Sequence, residues 1–396
     1  MSDPTHTEPT TDSTGKPGTP SSPTGFGPSA RALIGWIRPE EWLLFALWLF
    51  GFALCMSTGT GFDFRVIFDR YLRFFATYGL VLLGVTRVLF VVAESWRPES
   101  AVGRRVHGFA FGERRGLTSV VAIDLEFARG LILLFASLSV YSNIKVRIPA
   151  INPTIGDELF IQLDAMIFGS DFALGLEAWA QNDAGVSRFL ADTYKHDYIW
   201  MVLLLSLAYV RRDAMAIRWI FGATCLTYIT AILVTVGYPS LGPFYLERER
   251  LDWVNQSGVG GAQRFLTKFY NSNLAKLQAG EVIQGKAFAG IAAFPSLHIG
   301  HMIVMGWVSL RLAPLYAVWM LCITVVTFLA TIAFGWHYAV DAIGGIAVAI
   351  GCTELVYQIV KRDGGRTRLL TERPWFRARF ATPGAVDDGV APASRG

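Results

Sequence analysis

His337 and Asp341 stand four residues apart in Gly-Trp-His-Tyr-Ala-Val-Asp, residues 335–341, so on a helix they share one face. A carboxylate in that position holds an imidazole in one tautomer and stabilises its cation, which raises the nucleophilicity of the other ring nitrogen. Upstream, Ala-Ala-Phe-Pro-Ser-Leu-His-Ile-Gly-His, residues 292–301, places Ser296, His298 and His301 at the mouth of an apolar run. Ionisable groups at membrane depth are costly, so function is the first reading. Two histidines arriving together from separate helix starts make a nucleophile and a proton donor. Helix starts also present unpaired N–H groups and a positive dipole end, which suit a phosphate, and Ser296 stands where a cap serine would donate to the same anion.

Each motif alone is weak. A single histidine on an apolar face is usually structural, and Ser-x-His or His-x3-Asp is frequent by chance; it is their joint occurrence at matching helix ends that points to a site. The same residues allow a metal reading, with His298, His301, His337 and Asp341 as ligands. No acidic residue flanks His298 or His301 and no His-Glu-x-x-His pattern exists, so we expect neither metal nor cofactor.

These residues must be positioned by membrane helices. The chain has 396 residues, of which 53% are hydrophobic and 17% charged, against about 25% charge in a soluble domain. The net charge of +4 is not gathered into a basic face with interleaved aromatics, which argues against a nucleic-acid partner. Cys55, Cys225, Cys322 and Cys352 lie in apolar runs without paired spacing and read as packing residues. Residues 1–35, rich in Ser, Thr, Pro and Gly, read as a disordered cytoplasmic tail. They lack the basic end and apolar block of a cleavable signal, so the first membrane helix is the expected anchor.

Spanning takes about 20 mainly apolar residues. Eight stretches qualify: 41–57, 71–93, 119–142, 196–211, 214–237, 293–312, 315–334 and 338–360. The loops on one side carry 18 Lys and Arg, those on the other 13 in about twice the length, which places both termini in the cytoplasm. His298 and His337 are then separated by two crossings and return to the same outer leaflet. Residues 159–170 and 173–180 are amphipathic, too short to span, and read as interfacial helices capping the bundle. No internal repeat suggests a transporter of inverted halves.

With these residues in view, the sequence resembles the type-2 phosphatidic acid phosphatase superfamily, which includes vanadium haloperoxidases, and most closely its inositol phosphorylceramide synthase branch. The resemblance rests on Phe-Pro-Ser-Leu-His at 294–298, His-Tyr-Ala-Val-Asp at 337–341, Gly-Tyr-Pro-Ser-Leu-Gly-Pro-Phe-Tyr at 237–245 and Leu-Asp-Ala-Met-Ile-Phe-Gly at 163–169. It implies an all-α integral membrane fold with a six-helix phosphatidic acid phosphatase-like bundle at 119–360. A two-helix transmembrane extension at 36–118 would precede it, and a basic cytoplasmic tail at 361–396 would follow.

The resemblance further implies that His337 attacks phosphorus, Asp341 orients it, His298 protonates the leaving oxygen, and Ser296 with nearby N–H groups holds phosphate oxygens, without metal. The partners would be a phosphorylated membrane lipid and a small alcohol or water: an alcohol acceptor gives headgroup transfer, water gives hydrolysis. A non-catalytic lipid binder or transporter is the alternative from another class. The pattern also departs from the family. Ala330 and Thr331 stand where a Ser-Arg pair is common, and Pro243 is followed by Phe244 instead of completing a Lys and Arg-Pro motif. Phosphate charge must then be met elsewhere, with Lys268, Lys276, Lys286 and Arg264 as candidates in the outer loop. Tyr245 is a further substrate-binding candidate. His301 reads as a support one turn deeper than His298, His196 as a pocket or interface residue, and Trp336 and Tyr338 as interface aromatics.

Overall fold

The structure, a computed structural model, describes residues 37–67, 84–85, 88, 117–211, 213–281, 283 and 289–363. The expected tail at 1–35, all but the first three residues of the tail at 361–396, nearly all of the span at 71–93, and Lys286 lie outside the described residues. Among those described, the regular elements are all helical. The helices longer than two turns, numbered in chain order, are α1 (Pro39–Ser57), α2 (Leu117–Ile151), α3 (Asp157–Phe168), α4 (Asp171–Asn182), α5 (Ala184–Lys195), α6 (Tyr198–Val210), α7 (Ala214–Gly237), α8 (Gly260–Gln278), α9 (Leu297–Leu312), α10 (Pro314–Ala333) and α11 (Ala339–Arg362).

Local chemistry sets the boundaries. Pro39 opens α1, with Glu40 and Glu41 in its first turn, where a missing N–H is harmless and negative charge meets the positive dipole end. Asp183 and Asp213 cap α5 and α7, accepting hydrogen bonds from Gly185 and Val186 and from Ala216. Pro314 cannot continue α9 and instead starts α10.

Among the described residues four helices are long and apolar enough to cross a membrane, α1, α7, α10 and α11, the pattern of a multi-pass membrane protein. The spans expected at 196–211 and 293–312 shorten to α6 and α9, of 13 and 16 residues. At 1.5 Å per residue those reach roughly 20 and 24 Å, less than the hydrocarbon core of about 30 Å. Helices α3 and α4 meet at an 89° bend and together are apolar enough for one broken span or a re-entrant loop. Their amphipathic sequences predict two separate interfacial pieces.

The largest revision concerns α2. Its expected end at 142 is passed by nine residues, to Ile151, with Pro149 inside the last turns. The polar residues that looked like a loop are satisfied within the protein: Arg147, fully buried, donates to the Asn143 carbonyl, the Asn143 side chain and Thr60 Oγ1 at 3.0 Å each. Lys145 is thereby fixed on a helix instead of floating in a loop. Helix α7 is the most enclosed, packing against α2, α9 and α11, while α9 also packs against α10 and α11.

Candidate active site

His337 sits in the turn between α10 and α11. Gly335 adopts φ 66° there, a left-handed conformation that favours glycine, and the Thr331 carbonyl accepts from the Trp336 and His337 N–H groups at 2.8 and 3.2 Å. The ring is pinned on one side only. Its Nδ1–H donates to the Ala293 carbonyl at 2.7 Å and lies 3.3 Å from Asp341 Oδ2, which leaves Nε2 as the nitrogen with a lone pair. Asp341, fully buried, also accepts from the Tyr338 N–H at 2.9 Å. One carboxylate thus caps α11 and faces the imidazole.

The start of α9 is tied to the same place. The Ser296 N–H donates to the Asp341 carbonyl at 3.0 Å, and a Cβ on Gly345 would come within 2.3 Å of the Ser296 carbonyl oxygen. Glycine at that position is therefore what allows α9 and α11 to approach so closely. The result is a His298–His337 ring-centroid separation of 5.8 Å with an interplanar angle of 66°. His298 stacks on Tyr194 at 4.3 Å, and Tyr194 on Trp336 at 5.3 Å. Burial, and then the neighbouring Asp197 carboxylate, push the Tyr194 phenol well above its ordinary range.

Both histidines line a cavity of about 240 Å³. One part of its wall is apolar, with Leu241, Phe244, Leu266 and Ile291; another is polar, with Tyr141, Lys145, Tyr194, Asp197, Tyr198 and Tyr228. A wall of this kind suits a charged headgroup attached to an apolar remainder.

Two further carboxylates hold the frame. Asp164 accepts from the Ala339 and Val340 N–H groups at 2.8 and 2.7 Å, so the first turn of α11, expected to face phosphate, already has an anion of its own. That leaves the start of α9 as the anion-binding helix end beside the cavity. Asp157 accepts from the Tyr338 hydroxyl at 3.0 Å and from the Leu241 and Gly242 N–H groups at 2.8 Å each. Neither residue was picked out as a site residue from sequence, although Asp164 falls inside the 163–169 stretch that carries part of the resemblance.

Trp336 also lines the cavity, and the other described candidates fall outside its wall. Ser296 is fully buried, and its hydroxyl has no hydrogen-bond partner among the described residues. His301 is 2% exposed, with its ring 5.6 Å from Tyr198. Tyr245 donates to Asn271 at 2.6 Å and carries the Arg248 guanidinium over its ring. Lys268 is exposed and Lys276 half-buried on α8, while Arg264 donates to Asn255. His196 is exposed and bonded to the Asp192 carbonyl. Loop composition points to the lysines of 238–293; among the described residues the cation that lines the cavity is Lys145, half-buried on α2. Among the described residues no group of three or more His, Cys, Asp or Glu converges as a metal would require.

Apolar helices with two imidazoles facing one cavity define a dihistidine pocket in a helical protein with candidate membrane spans. A family model described as PAP2 superfamily matches residues 159–355, the segment that contains both histidines, and supports placing this region in that superfamily. Members of that superfamily are typically phosphatases or phosphotransferases that act on phosphorylated lipids. No curated protein and no solved structure matches the chain.

Proposed function

We propose that the protein is a lipid phosphoryl or headgroup transferase working through a phosphohistidine at the outer leaflet. The observation that carries this reading is the pair of imidazoles, brought from two helix starts to 5.8 Å above one cavity. His337 Nε2 attacks phosphorus, with Asp341 stabilising the cation that forms. His298 gives a proton to the leaving oxygen, a contribution of about 10²–10⁴ in rate. The N–H groups at the start of α9 and the Lys145 ammonium hold the phosphate oxygens; oriented donors of this kind contribute about 10²–10³ each.

In the second half of the cycle an alcohol takes the phosphoryl-linked group from His337, and His298 accepts its proton. Water in that place gives the phosphatase variant. Transfer is preferred on the resemblance to the inositol phosphorylceramide synthase branch. Helices α2, α6, α7, α9, α10 and α11 form the six-helix catalytic unit in this reading, with α3 and α4 as its cap. The excess of Lys and Arg on the opposite loops puts both termini in the cytoplasm.

Vanadate trapping on the purified protein tests the site: a covalent or near-covalent adduct at His337 is expected, and an adduct elsewhere overturns it. A labelled phospholipid then separates the two outcomes. Release of free phosphate or phospho-headgroup with no new lipid, even when alcohols are supplied, rules out transfer.

A further inference from the structure

We infer that Asp197 is the counter-charge that keeps a proton on His298, and that it thereby sets which leaving groups the site can release. This rests on the reading of His337 as nucleophile and adds a positioning residue to it. Asp197 stands just before α6, is 4% exposed, and lines the cavity. Its Oδ2 lies 4.0 Å from His298 Nε2. That is ion-pair reach and too long for a direct hydrogen bond, so the carboxylate acts by charge.

The surroundings single out this pairing. A buried carboxylate without a cation is strongly disfavoured, and among the described residues no Lys or Arg forms an ion pair with Asp197. His298 is the basic group within reach. The other groups facing the pair are Tyr194 from α5, Tyr198 from α6, Lys145 from α2, His301 from α9 and His337 ahead of α11. Tyr194 keeps its proton, since burial and the Asp197 charge both oppose ionisation. Lys145 and His337 are positive or become so during the reaction, and both drive a proton off His298. Asp197 is the group that opposes them.

The proton balance follows. The pair holds one proton, and in the reactive form it sits on His298, leaving an imidazolium beside the Asp197 carboxylate. As His337 Nε2 bonds to phosphorus, the bond from phosphorus to the leaving oxygen breaks and the His298 proton passes to that oxygen. The acceptor then attacks phosphorus, the P–N bond breaks, and the acceptor's hydroxyl proton returns to His298 beside Asp197.

The test compares leaving groups in the full-length protein, using phosphatidic acid in mixed micelles and 4-nitrophenyl phosphate. An alkoxide leaves badly without a proton; nitrophenolate does not need one. Asp197→Asn is expected to slow the lipid ester by about 10²-fold while changing the nitrophenyl ester by less than tenfold. The alkaline limb of its lipid pH profile should also move to lower pH. His298→Ala should show the same selectivity, and Asp197→Glu should recover most lipid turnover. Asp197→Ser serves as a second charge-removing variant if the asparagine form does not fold, with vanadate binding as the check on folding.

Equal slowing of both esters, or none, by the charge-removing variants overturns the inference while leaving the His337 reading intact. Turnover that survives His337→Ala removes the underlying reading and the inference with it.

Discussion

The two ends of α7 and α11 use the same side-chain types in opposite ways. At one end Arg218 reaches Glu40 at 2.7 Å and Asp363 at 3.0 Å, Arg38 pairs with Glu126, and Arg129 with Glu41. These groups are nearly all buried, and each guanidinium meets a carboxylate, binding α1 to α2 and α7. At the other end Lys145 and Asp197 face a cavity, and His337 presents one ring nitrogen that its neighbours leave alone. Matched pairs make a clamp whose removal is felt as instability. Charges left facing a cavity are available to a ligand, and their removal is felt as lost chemistry.

That contrast is open to attack by mutation. The largest effect belongs to His337→Ala: turnover should fall by at least about 10⁴-fold with thermal stability in detergent nearly unchanged. Surviving activity would mean that the cavity end is not the reactive one. Next comes Arg218→Ala, which strands Glu40 and Asp363 and should cost about 3–5 kcal/mol of stability, read from thermal or denaturant unfolding. Its kcat, measured where the protein remains folded, should stay within about twofold; a selective loss of kcat would couple the two ends.

Lys145→Met should weaken vanadate binding by about ten- to a hundredfold, the worth of a charged hydrogen bond, without lowering the unfolding temperature. Unchanged vanadate affinity would return the phosphate charge to the loop lysines. The smallest effects are expected for Lys268→Ala and Lys276→Ala, each within about twofold in kcat/KM, as for surface substitutions generally.

The motif residues were legible in the sequence because their spacing is tied to helix geometry. His337 and Asp341 fall one turn apart, and two crossings return His298 to the same side. The cation and the second carboxylate were not, for separate reasons. Lys145 was hidden by a helix end set too early, at the cluster of Ser142 and Asn143. The apolar spacing Tyr141, Ile144, Ile148 in fact runs on at three and four residues, and it was the available signal for a longer α2. Asp197 was overshadowed by its neighbour His196, which proves to be exposed. A carboxylate at the head of an apolar helix was itself worth notice. The frame carboxylate Asp157 makes contacts across more than eighty residues, and no local pattern encodes those.

Asp341 binds twice: its side chain faces His337, and its peptide carbonyl takes the Ser296 amide. The two segments that bear the imidazoles are thus knotted at a single residue near the ends of α9 and α11. A bilayer of different thickness acts on helix tilt, and tilt about such a knot changes the far ends of the helices far more than the spacing at the knot itself. The gap between the rings should therefore be the same in thin and thick membranes.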